Sequence, residues 1–106
     1  MEIHIGKTVG GDFVVGKFEV KKDVSGNDVP FLADVYSLVI IPNPKQQDQV
    51  KTMIIPMLYP FDDTAVKEVT FDKLFAIKEA PEDIRNVYIK VTTGIDIAAT
   101  NTKIIQ

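Results

Sequence analysis

Val50-Lys51-Thr52-Met53-Ile54-Ile55-Pro56-Met57-Leu58-Tyr59 and Val66-Lys67-Glu68-Val69-Thr70-Phe71-Asp72-Lys73-Leu74-Phe75-Ala76-Ile77, separated by the turn-like Pro60-Phe61-Asp62-Asp63-Thr64, decide the fold class. From Met53 to Tyr59 the first stretch is apolar at odd and even positions alike. A strand of that kind is covered on both faces or is covered by another chain. The second stretch puts Val69, Phe71, Phe75 and Ile77 on one side of an extended chain, with only Lys73 out of pattern. The two are therefore expected to form a strongly apolar antiparallel pair that the other strands must cover.

Working back toward the start, Met1 to Gly6 alternates as a short first strand, and Gly10-Gly11-Asp12 reads as a tight turn. In the next strand, residues 13–22, Val14, Phe18 and Val20 are apolar on one face and Lys17, Glu19 and Lys21 lie on the other. Gly16 falls on the inner face, where a missing side chain lets a strand bend and a neighbour come close. Residues 23–30 carry turn formers and read as a loop, followed by a third strand over 32–41 that ends in the apolar run Leu38-Val39-Ile40-Ile41. The polar, proline-punctuated residues 42–49 read as an exposed loop. Pro56 cannot donate to a ladder, so it belongs at an edge or a bulge.

After Ile77 the period changes to that of a helix. Ala80-Pro81-Glu82-Asp83 has proline in the first turn and acids near the positive end of the dipole. Ile84, Val87, Tyr88 and Val91 then share one face, and Gly94 can stop the helix. Residues 1–94 thus form one unit. The tail, 95–106, is left open between a further strand, an arm docked on a neighbour and a disordered end.

With 106 residues the chain makes one domain, near the size where a barrel or a partner copy is needed to complete a core. No run approaches the length of a membrane span, and the start Met1-Glu2-Ile3-His4 lacks the pattern of a signal peptide, so a cytoplasmic location is expected. There is no cysteine, which removes disulfides, thiolate nucleophiles and the commonest zinc sites together. The twelve basic and fifteen acidic side chains argue against a generic nucleic-acid coater; a ring of identical copies could concentrate Lys17, Lys21, Lys22 and Lys51 on one side, but solvated strand residues that keep an edge soluble account for them more simply.

Little points to catalysis. His4 is the only histidine, and with Ser25 and Ser37 the only serines a hydrolase triad finds no partners. Asp62-Asp63 is an adjacent carboxylate pair of the kind that binds a divalent ion in a nuclease or phosphoryl-transfer site. It would need a third metal ligand from elsewhere, and turn chemistry accounts for it more simply. No phosphate loop or metal spacing is present, and no cofactor is expected. Phe13, Tyr36, Tyr59, Phe61 and Tyr88 are of the type that stacks on bases, but most lie in apolar runs that fill a core or an interface; Phe61, in a polar turn, is the best candidate for an exposed contact.

Five strongly bent antiparallel strands and one C-terminal amphipathic helix describe an all-β barrel of SH3-like or OB-like type. Gly16 in the second strand, the stretch 69–77 across the last two, and Met57-Leu58-Tyr59-Pro60-Phe61 leading to it before a Pro-Glu-Asp helix resemble the Sm/LSm family. The likeness covers residues 6–91 and is most specific for small Sm-like proteins of cyanophage origin, which would place the chain in a bacterial host. It implies a non-enzymatic subunit of a cyclic homo-oligomer, a pentamer to heptamer, in which the fourth strand of one copy pairs with the fifth of the next. Met53, Ile55, Met57, Tyr59, Val69 and Phe71 would then form the interface between copies.

The resemblance also implies uridine-rich RNA in the ring's lumen, held by an aspartate and an asparagine of the loop after the second strand and by an arginine-glycine pair between the last two. Asp23 and Asn27 correspond to the former. Thr70-Phe71 stands where the arginine-glycine pair belongs, with Asp72 and Lys73 matching the next two positions. The family's N-terminal helix has no counterpart, and the helix after Pro81 takes its place. A structural or protein-interaction ring, such as a phage adaptor that reads no nucleic acid, is the alternative.

Overall fold

The computed structural model describes residues 2–42, 44–45 and 50–93, and the backbone alone of 103–105. The chain is mostly β, with one C-terminal helix. Its strands are β1 (Ile3–Thr8), β2 (Phe13–Lys22), β3 (Asp28–Pro42), β4 (Val50–Pro56), β5 (Val66–Thr70), β6 (Leu74–Glu79) and β7 (Lys103–Ile105), and the helix is α1 (Glu82–Thr93). Backbone pairing runs β6-β1-β2-β3-β4-β7, with β5 off this path on β3. All pairs are antiparallel, and the two ends of the path do not pair with each other. The sheet is open.

The centre of the molecule is the β2–β3 ribbon, buried on both faces. Alternation sends Val15 and Leu38 to one face, where Ile3, Ala80 and the α1 residues Ile84, Val87 and Tyr88 close over them. Val14, Leu32 and Val35 point the other way and are covered by Met57, Val66, Val69, Phe71 and Leu74. One ribbon therefore serves two cores, with the helix on one side and the β5–β6 segment folded over the other.

This double burial requires a bend, and the sequence supplies it at Gly16. A Cβ built there would lie 2.9 Å from the Ala33 carbonyl oxygen and 3.1 Å from Val35 Cγ2, closer than a backbone neighbour allows. Opposite it the register slips between Val15 and Lys17, so that Asp34 and Val35 together face one glycine, which makes a β-bulge. Asp34 takes a positive φ of 49° there, a conformation that aspartate tolerates better than most residues. The freed Asp34 carbonyl accepts a 2.6 Å hydrogen bond from the Tyr88 hydroxyl, and its carboxylate pairs with Lys17 at 2.9 Å. Tyr88 is fully buried, and burial first, then the Asp34 charge, push its phenol far above the usual range.

Several expectations are corrected. The stretches 50–59 and 66–77 do not pair: β4 pairs with β3 and β7, β5 with β3, and β6 with β1. The second stretch is two strands interrupted by a 3-10 turn at Phe71–Lys73, so with β7 the described sheet has seven strands where five were expected. Nor do Val69, Phe71, Phe75 and Ile77 share a face. A bulge where Lys7 pairs with Ala76 and Thr8 with Leu74 turns Phe75 outward, leaving it 78% exposed, and Leu74 packs inside instead. β4 stops at Pro56, and β3 begins at Asp28, which shortens the expected 23–30 loop to a tight turn.

Other expectations hold. The Gly10-Gly11 turn forms, with Gly11 at φ 96° and its amide donating to the Thr8 carbonyl at 2.9 Å. The helix buries Ile84, Val87 and Tyr88, with Val91 packed at its margin. Its stop at Gly94, most of the 42–49 loop and most of the tail lie outside the described residues.

Replacing Gly16 with alanine should cost about 1–3 kcal/mol, because its close neighbour is backbone and cannot swing aside. Tyr88→Phe should cost about 1–2 kcal/mol by leaving the bulge carbonyl unpaired. Urea unfolding of both variants checks the pair; stability equal to the parent in either would remove that contact from the account.

Candidate functional site

The four residues proposed for nucleic-acid contact gather at one end of the sheet. Asp23 and Asn27 form the β2–β3 turn, while Asp72 and Lys73 sit in the 3-10 turn that follows β5. Phe31 pairs with both Glu19 and Thr70, and the hairpin runs on to the Lys22–Asp28 pair. The turn thus stands three residues, about 10 Å, beyond the end of β5. The two pairs share an end without forming one pocket.

Each is held by local hydrogen bonds. The Asp23 carboxylate accepts from the amides of Ser25 at 2.8 Å and Asn27 at 2.9 Å, which fixes the turn. Asp72 accepts from the Thr70 hydroxyl, and that bond, ahead of the nearby Lys73 charge, holds its carboxyl below the usual range. Lys73 is exposed. A base approaching this end would meet an ionised Asp72 beside a free ammonium.

The β2 lysines are already engaged. Lys17 pairs with Asp34, Lys21 with Glu68 and Lys22 with Asp28. Lys21 also lies over the Phe31 ring at 5.4 Å. Three of the four lysines considered for a basic face thus have their charge matched within the chain, and Lys51 alone of the four is exposed without a carboxylate among the described residues.

The six interface candidates divide. Met57, Val69 and Phe71 pack against Val14, Leu32 and Val35 inside the chain's own second core. Ile55 is half-buried, whereas Met53 is 45% and Tyr59 62% exposed. Met53 pairs with Val39 across β3–β4, and Ile41 is exposed on the same face, so an apolar strip continues outward where the second core ends. β7 pairs β4 only at Val50 and Lys51; from Thr52 to Pro56 the outer edge of β4 has no strand beside it among the described residues.

His4 lies against Phe18, ring centroids 5.1 Å apart, with its Nδ1 buried and lacking a partner among the described residues. It has neither a carboxylate nor a hydroxyl to make it a base. Asp62 binds Thr64 through the side-chain hydroxyl at 2.6 Å and the amide at 2.8 Å; these two bonds, the hydroxyl first, lower its pKa. No group of three metal-ligating side chains occurs among the described residues, and no described helix is long and apolar enough to cross a membrane. Sequence reasoning missed the groove between β1 and β6, lined by Ile5, Phe13 and Ala76 with Lys7 and Lys78. The alternation of β1 carried a signal for it, but the pairing of β6 with β1 could not be read.

Thr70→Val should raise the Asp72 pKa toward the ordinary aspartate value, and Thr64→Val should do the same for Asp62, since each loses its principal donor. Side-chain carboxyl chemical shifts followed against pH check both; an unmoved midpoint would show that the hydroxyl bond is not what holds the group.

No protein-family model matches the chain, and no curated protein matches it.

Proposed function

We propose that the chain is a non-enzymatic, Sm-like subunit that assembles with copies of itself into a closed ring, with RNA or single-stranded nucleic acid as the ligand class. The observation that carries the reading is the outer edge of β4 from Met53 to Ile55, which has no strand beside it among the described residues and carries exposed Met53 and half-buried Ile55. Unpaired amides and carbonyls beside apolar side chains form a template for a strand from another copy. β5, joined to β6 by a single 3-10 turn, spans from the edge of β3 to the edge of β1, as the last strands of a small SH3-like barrel would. β5 has one strand partner, β3, among the described residues, so it offers the complementary edge.

Nucleic acid would meet the end that carries Asp23, Asn27, Asp72 and Lys73. The alternative, a ring that binds protein and reads no nucleic acid, draws support from the ion pairs that occupy Lys17, Lys21 and Lys22 and from the net charge of −3. With the three β2 lysines paired and acids in excess over bases, counterion release along that ribbon has little to draw on.

Light scattering over a concentration series should give a mass several times that of the 11.8 kDa chain; a monomer throughout would end the ring reading. Labelled oligo-uridine titrated at 50 and 200 mM salt should bind saturably. If two phosphates are neutralised, the affinity should fall about sevenfold between the two salts, and Lys73→Ala should weaken it further. No binding at the lower salt would leave the protein-interaction ring.

A further inference from the structure

Two surface features lie apart from the proposed nucleic-acid end, the second at the margin of the helix-side core where Ile5 and Phe13 pack, and their chemistries match. The first is the β4–β5 turn. Phe61 stands 95% exposed at its tip, flanked by exposed Leu58 and Tyr59, and Asp62 and Asp63 follow directly. The turn is held in shape: the amides of Phe61 and Asp62 both donate to the Leu58 carbonyl, at 2.8 and 3.1 Å, and Thr64 ties down one oxygen of Asp62. An aromatic ring is thus carried into solvent on a preformed support, with an ionised carboxylate beside it. Holding so large an apolar side chain in water has no benefit within the chain itself.

The second is the groove between β1 and β6. Cross-strand pairing places Lys7 opposite both Phe13 and Ala76, and Ile5 opposite Lys78, so these side chains lie on one face. Ile5, Phe13 and Ala76 form an apolar floor, and Lys7 and Lys78 stand diagonally across it. The Lys7 ammonium lies 5.3 Å from the centre of the Phe13 ring, and neither lysine has a carboxylate partner among the described residues. The groove has a volume of about 140 Å³ and opens to solvent. An enclosed cavity of about 150 Å³ takes one benzene ring, so the groove has room for a phenyl group.

We infer that the groove receives the Phe61 turn of a second copy of this chain, with the phenyl ring on the Ile5–Phe13–Ala76 floor and Asp62 and Asp63 against Lys7 and Lys78. The second copy is favoured as occupant because this chain displays the complementary element: one aromatic ring of the right size, followed by two carboxylates for two ammonium groups. The contact joins two different surfaces, so it is heterologous and repeats from copy to copy. It rests on the reading that copies associate, and it adds a side-chain lock to any pairing of strand edges. A buried aromatic anchor with a charged rim is the arrangement in which a few residues dominate an interface.

Charge reversal tests it. Asp62→Lys with Asp63→Lys, and separately Lys7→Glu with Lys78→Glu, should each weaken self-association at least tenfold in sedimentation or mass photometry. A chain carrying all four reversals should regain the parent's assembly, because the basic turn then meets an acidic groove. Phe61→Ala should weaken association with the charges intact. Circular dichroism of each variant confirms that the subunit is folded, and Lys78→Glu alone, at an exposed position, replaces the groove pair if Lys7→Glu unfolds the chain. Reversed pairs that assemble like the parent, or a fourfold variant no tighter than either pair, would overturn the contact while leaving the ring. A parent that stays monomeric at every concentration would remove both.

Discussion

The structure depends on how closely β2 and β3 cross at Gly16. The absence of a side chain there brings the Ala33 carbonyl to within 2.9 Å of where a Cβ would lie, and the bulge opposite absorbs the mismatch by placing Asp34 at positive φ. Left alone, such a bulge would leave an unpaired carbonyl against the core. Tyr88 satisfies it, since its ring fills the helix-side core and its hydroxyl donates to the Asp34 carbonyl. Helix α1 is therefore coupled to the bend of the sheet rather than merely laid over it. The same bend lets β5 and the start of β6 reach over the opposite face.

That geometry explains which parts of the fold could be read in the sequence. Periodicity marked β1, part of β2, the start of β3 and α1; Ile84, Val87 and Tyr88 fell into place because the helix has one continuous partner face. Gly16 was legible because glycine on the inner face of a strand has few other uses. The region after Val50 was misread because its apolar residues serve different partners within one run. Val69 and Phe71 belong to the second core, Phe75 is turned out by a bulge, and the 3-10 turn between them resets the alternation. A pattern of period two cannot reveal a residue inserted into it. Asp23 and Asn27 were legible as turn formers, which the hydrogen bonds of Asp23 illustrate, whereas Asp72 and Lys73 were read within an extended stretch and lie in a 3-10 turn; how far apart the two pairs stand depends on register.

Charge is distributed with the same economy. The lysines on β2 face carboxylates on β3, β5 and the hairpin's own end, an arrangement that keeps a long ribbon soluble and in register. Exposed pairs of this kind contribute little stability each. Their effect is on the surface potential: most of the ribbon presents no net field to a phosphate backbone. Whatever polyanion the chain meets must be drawn by the remaining cations, of which Lys73 stands at the hairpin end and Lys7 and Lys78 flank the β1–β6 groove.

Three apolar or unpaired features lie toward the perimeter of the chain. Among the described residues β4 lacks a strand neighbour along most of its outer edge, the Met53–Ile41 strip continues outward past the second core, and Phe61 is held in water by a hydrogen-bonded turn. A monomer built for solubility would blunt each of these with a charge, a short strand or a covering loop. Among the described residues β7 covers two residues of β4, and the acids beside Phe61 adjoin the ring without shielding it. The β4 edge with its strip and the aromatic turn are separate surfaces, so one self-complementary patch would not bury them together. Were copies to associate, a heterologous contact would, each copy offering donor surfaces to one neighbour and acceptor surfaces to the other, and repetition would close a ring or run on as a filament according to the angle between copies.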